Sequence, residues 1–205
     1  AKQVKHSYIM KYGASVNENS WTQTITKMSV SVITLEILLV PVSTQLKIDV
    51  SDSYDIPATC RQALFVFYNC ARLSKILEKY KNEVDKGTYP PLPDLHAVDF
   101  SLLKDEIEWK LVLNYVANYP VIVNNLSKSV NTSTSLTKFN SNKIAQFLVS
   151  LSHDVSSYYS RVHILVESRE HLNSVMFARL FLVKTLFQVI ENSLKLLNIE
   201  AIDQM

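Results

Sequence analysis

The sequence predicts an all-α fold, a helical bundle over residues 57–205, preceded by a small α/β unit over residues 1–56. Three observations carry this. Residues 172–197 contain neither Pro nor Gly, and their apolar positions recur with helical rather than alternating period. The 205 residues include only two glycines, Gly13 and Gly87, and six prolines, which is few turn formers for a sheet-rich chain. The short runs that read as strands, residues 4–10 and 47–50, fall within the first fifty residues.

In chain order, the apolar run 32–39 fits helix or strand equally. A helix is expected over residues 58–84, closed by the loop Asp85-Lys86-Gly87-Thr88-Tyr89-Pro90-Pro91. The next helix is expected to take Asp99 or Ser101 as its cap and to run through Leu102, Ile107, Leu111 and Tyr115. Pro120 suits the first turn of the helix that follows. Residues 124–142, rich in Ser, Thr and Asn, read as a polar loop, after which Asn140 or Ser141 caps a helix through Ile144, Phe147, Leu151, Val155 and Val162. In the last helix Val175, Leu182, Val183, Leu186, Val189, Ile190, Leu194, Leu196 and Leu197 share one broad arc. So wide an apolar face must be covered on more than one side, as in the central helix of a bundle. Arg179 interrupts that arc and is expected to have a carboxylate or carbonyl partner, or else to meet a ligand directly.

Composition limits the function classes. Hydrophobic residues at 47% and charged residues at 20% are ordinary for a soluble domain, and a net charge of +2 confines any nucleic-acid binding to a local patch. Two glycines exclude a P-loop and a dinucleotide fingerprint. Cys60 and Cys70, ten residues apart on one predicted helix, face different directions, which argues against a disulfide and for a reducing compartment. No run of about 18 uncharged apolar residues occurs. The first ten residues lack a signal peptide's apolar centre, and the missing initial Met suggests a piece of a longer chain.

Two apparent catalytic sets dissolve on helical geometry. Ser152-His153-Asp154 are consecutive and diverge, so they cannot bond in series. Glu106 and Glu108 stand two apart and are expected on a solvated face. A more coherent pattern lies on the second predicted helix, where Phe65, Tyr68, Arg72, Lys75 and Lys79 fall within about 40° of Arg61. Rings and cations in one stripe suit single-stranded nucleic acid, because the cations hold phosphates while the rings stack on exposed bases. The alternative is a solvated face with two half-buried aromatics.

Several segments resemble the DALR anticodon-binding domain that ends arginyl-tRNA synthetases. Phe65-Val66-Phe67-Tyr68-Asn69-Cys70-Ala71-Arg72-Leu73 is similar to that domain's opening, Tyr119-Pro120-Val121-Ile122-Val123 to a middle segment, and Tyr158-Tyr159 with Ile164-Leu165 to a later one. The end, Leu196-Leu197-Asn198-Ile199-Glu200-Ala201 with the terminal Met205, resembles the family's Leu-Gly-Ile-Glu-Ala, with Asn198 in place of the glycine. Upstream, Lys27-Met28-Ser29-Val30-Ser31 looks like the KMSKS loop of class I synthetases but has Val30 for the second lysine, and no HIGH-type histidine pair occurs. The resemblance therefore implies that residues 1–56 are a synthetase-like remnant.

It also implies an RNA-facing surface of Phe65, Tyr68, Arg72, Lys75, Tyr159 and Met205, with Arg61 and Lys79 steering phosphates. Phe65 loses the hydroxyl of the family's tyrosine but keeps its ring. Tyr159 has an alternative, packing its ring on the core and bonding its tip. The non-catalytic branch of the family implies a cytoplasmic protein, with no cofactor, metal or membrane, that binds the anticodon arm of arginine tRNAs and presents them to a 3-methylcytidine tRNA methyltransferase. Two other functions compete: the anticodon-binding end of an active arginyl-tRNA synthetase, and a helical module that docks a protein.

Overall fold

A computed structural model describes residues 18–45, 61–130, 140–166 and 170–201. Its helices are α1 (Glu18–Leu39), α2 (Arg61–Asp85), α3 (Glu106–Leu111), α4 (Tyr119–Val130), α5 (Asn142–Arg161) and α6 (Glu170–Leu196). Two 3-10 turns, Leu95–Ala97 and Phe100–Leu102, lie between α2 and α3.

Among the described residues there is no strand, and the expected α/β unit is corrected to helix. The ambiguous run 32–39 is the last part of α1. Nothing in α1 interrupts a helix, since its 22 residues hold no Pro or Gly. Its Val32 and Leu35 are fully buried in the same core as α2, α5 and α6, so it packs as one more helix of the bundle. Lys27-Met28-Ser29-Val30-Ser31 lies inside α1 with Met28 and Ser29 buried, which is no phosphate-binding loop. The expected strands at 4–10 and 47–50 lie outside the described residues.

The Glu36 carboxylate ties α1 to α2 by accepting the backbone N–H of Ala63 at 2.9 Å, one of the donors a helix start leaves unpaired. Burial raises the Glu36 pKa, against the pull of that bond and one from Gln62. Along α2, Val66, Phe67, Cys70, Ala71, Leu73 and Ile76 turn inward, with Leu64 and Leu77 half-buried beside them.

The last helix is central, as its wide arc requires. Met176, Ala178, Leu180, Val183, Leu186, Ile190 and Leu194 are all but inaccessible, and each buried large aliphatic contributes about 1.5–3 kcal/mol. One member of the arc is misplaced: Leu196, in the final turn, is 50% exposed. Residues Leu172–Leu196 have the length and apolarity to cross a membrane, but here they pack against the other helices of the bundle.

Two helices stop in the same way. After α2, Gly87 takes φ +77°, its N–H bonds the Val84 carbonyl at 2.9 Å, and Thr88 N–H reaches Glu83 at 2.9 Å. After α6, Asn198 takes φ +56°, its N–H bonds Lys195 at 3.0 Å, and Ile199 N–H reaches Leu194 at 2.9 Å. This is the Schellman closure, which needs a left-handed residue, and Asn is the usual substitute for Gly there. Asn198→Gly should therefore cost nothing, whereas Asn198→Val should lower stability by about 1–2 kcal/mol in urea titration. Equal midpoints for the two variants would refute this account of the helix end.

The third predicted helix starts later than expected. Asp99 caps only the 3-10 turn, accepting from Ser101 N–H at 2.9 Å. The α-helix begins after Asp105, whose carboxylate accepts from Ile107 N–H at 3.1 Å while Glu108 reaches back to Asp105 N–H at 3.0 Å. This reciprocal pair is a capping box. Beyond α3 the chain widens into a π turn over Val112–Val116, which Ala117 N–H closes onto the Val112 carbonyl at 2.9 Å. The polar stretch is helical as far as Val130 in α4; residues 131–139 lie outside the described residues.

Glu108 is therefore not on a solvated face. Its side chain is wholly inaccessible and accepts from Arg179 Nε at 2.8 Å and from Tyr158 Oη at 3.5 Å. The same guanidinium donates through Nη1 to the His163 carbonyl at 3.0 Å. Arg179 thus has both a carboxylate and a carbonyl partner and closes α3, α5 and α6 over one another. Burial first, and then the Glu108 charge, push the Tyr158 phenol far above its ordinary pKa.

Candidate nucleic-acid interface

α2 and α5 lie side by side and run in the same sense, since Phe65 meets His153 while Arg72, seven residues on, meets Tyr159, six residues on. Between them is an open groove of about 570 Å³ lined by Phe65, Arg72, His153, Ser156, Ser157, Tyr159 and Ser160. The helical period explains the lining. Residues 153, 156, 157 and 160 form one i, i+3, i+4, i+7 face of α5, and residues 65 and 72 lie two turns apart on α2.

Arg72 is the centre of this surface. Its guanidinium carbon sits 4.1 Å from the Tyr68 ring centroid and 4.6 Å from that of Tyr159, so a ring from each helix holds the cation. Arg72 Nη2 also donates to Tyr68 Oη at 2.7 Å, which fixes the plane of the fork. An arginine held in this way loses little freedom on binding and keeps in-plane donors for an acceptor such as phosphate. Tyr159 is 43% exposed, so the alternative of a ring packed on the core is not what it does. That role belongs to its neighbour Tyr158, fully buried with its tip near Glu108.

The structure brings Phe65, Tyr68, Arg72 and Tyr159 into one surface. Lys75 and Lys79 continue the same face of α2 as exposed cations, and Arg61 opens that helix, also exposed. Met205 lies outside the described residues. His153 went unrecognised in the sequence because it appeared there only as part of a false triad. In the structure its ring lies 4.7 Å from that of Phe65, at 36°. The triad indeed diverges, since Ser152 is buried with its hydroxyl unpaired, while Asp154 accepts from Lys110 at 2.7 Å and from Tyr115 Oη at 2.6 Å. Among the described residues no group of three His, Cys, Asp or Glu side chains could hold a metal ion.

Among the described residues the chain is an all-helical bundle in which α2 shows rings and cations beside Tyr159 of α5. The profile of the DALR anticodon binding domain matches residues 66–205, and the chain belongs to that family. It is similar to DALR anticodon-binding domain-containing protein 3 of Danio rerio, 35% identical over 206 residues that cover 99% of this chain and 37% of the relative. Its counterpart in Mus musculus is 36% identical over 198 residues, covering 96% and 36%. The chain is also similar to an arginine–tRNA ligase of Malacoplasma penetrans, 33% identical over 137 residues, covering 67% of this chain and 21% of that enzyme. It thus spans little more than a third of the length of the curated relatives that match it almost throughout.

Proposed function

We propose that this chain binds the anticodon arm of arginine tRNAs through the α2–α5 groove, has no catalysis of its own, and presents the bound tRNA to a 3-methylcytidine tRNA methyltransferase in the cytoplasm. The observation that carries the binding is Arg72, held between Tyr68 and Tyr159 at the edge of an open groove, in a chain of the anticodon-binding family. Lys75, Lys79 and Arg61 give the phosphates of the arm a basic approach along α2, and the family pattern adds Met205 to the surface. The methyltransferase and the cytoplasm extend what the resemblance to the non-catalytic branch implies.

Gel shift with an arginine tRNA tests the binding. Replacing Arg72 and Lys75 by Ala should weaken it and flatten its salt dependence, by about one unit of log–log slope for each phosphate contact removed. Binding and slope that stay unchanged would contradict the assignment. Recovery of the methyltransferase in a pull-down should be lost after nuclease treatment. If it persists, the chain docks the enzyme directly as a protein-interaction module.

A further inference from the structure

Resting on that anticodon-arm reading, we infer that His153 and Phe65 form a second stacking platform, so that the groove seats two unpaired nucleotides held apart from one another. With the Tyr68 and Tyr159 ring centroids 4.1 Å and 4.6 Å from its guanidinium carbon, the Arg72 cation is already stacked by protein, and a base must stack elsewhere. What the groove offers a ligand is the edge of the fork, the exposed part of the Tyr159 ring and the exposed imidazole of His153.

The imidazole is not loose on the surface. Phe65, half-buried, backs it at 4.7 Å, so a base laid on His153 meets a ring that is already supported. Such pre-ordering lowers the entropy lost on binding. It also gives the hydroxyl-free ring of Phe65 a use that a tyrosine's hydroxyl is not needed for.

Spacing then selects the ligand. His153 and Tyr159 are six residues apart on α5, about 9 Å along the helix axis at a rise of ~1.5 Å per residue. Bases stacked on one another along a strand repeat every ~3.4 Å. Neighbouring bases of a duplex cannot reach both platforms while staying stacked, but bases splayed from a loop can, and such loops are where side-chain stacking operates. Ser156 lines the wall between the two rings. Ser157 and Ser160 donate to carbonyls of their own helix, at 3.0 Å to His153 and 2.9 Å to Ser157. The occupant is therefore a single-stranded RNA loop with at least two unpaired bases, gripped by stacking at two points and by Arg72 beside the Tyr159 ring.

The test uses the full chain and a stem-loop RNA with the anticodon arm sequence of an arginine tRNA, with a blunt duplex of the same stem as control. His153 is exposed, so His153→Ala should leave the melting curve unchanged and weaken stem-loop binding about tenfold, in line with the loss of one base–ring stack. His153→Phe should keep most of the affinity, and weak binding of the duplex should respond to neither variant. If Arg72→Ala weakens binding and His153→Ala does not, the second platform is wrong and the anticodon-arm reading stands. If neither matters, both fall. Equal losses in His153→Ala and His153→Phe would also overturn the platform, by making the contact a hydrogen bond.

Discussion

Arg179→Met should lower the stability of the bundle by about 3–5 kcal/mol, read as a large drop in the urea midpoint. Met fills much of the arginine's volume, so the loss is not one of packing. What remains is the Glu108 carboxylate, wholly inaccessible to water, with its counter-ion gone and only Asp105 N–H at 3.0 Å and the long Tyr158 contact at 3.5 Å to compensate. A charge abandoned in the interior is far costlier than a pair replaced as a whole. Hence Glu108→Gln combined with Arg179→Met should recover at least half of the loss, since the amide keeps an oxygen for the capping box. If the single variant melts within about 1 kcal/mol of the parent, then the ion pair does not hold α3, α5 and α6 together.

Tyr159→Ala and its neighbour Tyr158→Ala should act on different properties. Tyr159 is exposed and rests on Arg72, so its removal should leave the melting curve in place while tRNA affinity falls about 10- to 100-fold, through loss of a stacking face and release of the cation. Tyr158 is fully buried, and its truncation should cost about 3–5 kcal/mol of stability. Two adjacent tyrosines therefore separate binding from folding. Equal affinity losses in the two variants, at a temperature where both are folded, would remove Tyr159 from the interface.

Much of this was legible in the sequence where periodicity alone decides the outcome. The broad arc of α6 and the stripe on α2 follow from the helical repeat, and both appear in the structure. Arg179 was identifiable as a residue needing a partner, because a guanidinium in an apolar face must be compensated. Its partner was not, since Glu106 and Glu108 differ only in which way α3 is rolled, and packing sets that roll. A signal was nonetheless present. Asp105 and Glu108 have the spacing of a capping box, which would have moved the helix start from Asp99 or Ser101 and marked Glu108 as engaged.

Other differences have equally local causes. The run 32–39 has neither a clean period of two nor one of 3.6, and strand and helix separate only when the uninterrupted length back to residue 18 is counted. Leu196 shares the angle of the buried arc but lies in the last turn, where the bundle no longer covers it. His153 lies 88 residues from Phe65 in sequence, and their contact joins two helices. No wheel drawn on one helix shows a pairing of that kind.

The most direct test of an anticodon-arm binder is ultraviolet crosslinking of the protein to total tRNA, with sequencing of the RNA and mapping of the crosslinked peptides. The account predicts arginine tRNAs joined through anticodon-loop nucleotides to α2 around Phe65 to Arg72 and to α5 around His153 to Tyr159. Crosslinks confined to α4 and the solvent side of α6, or tRNAs recovered in their cellular proportions, would contradict it.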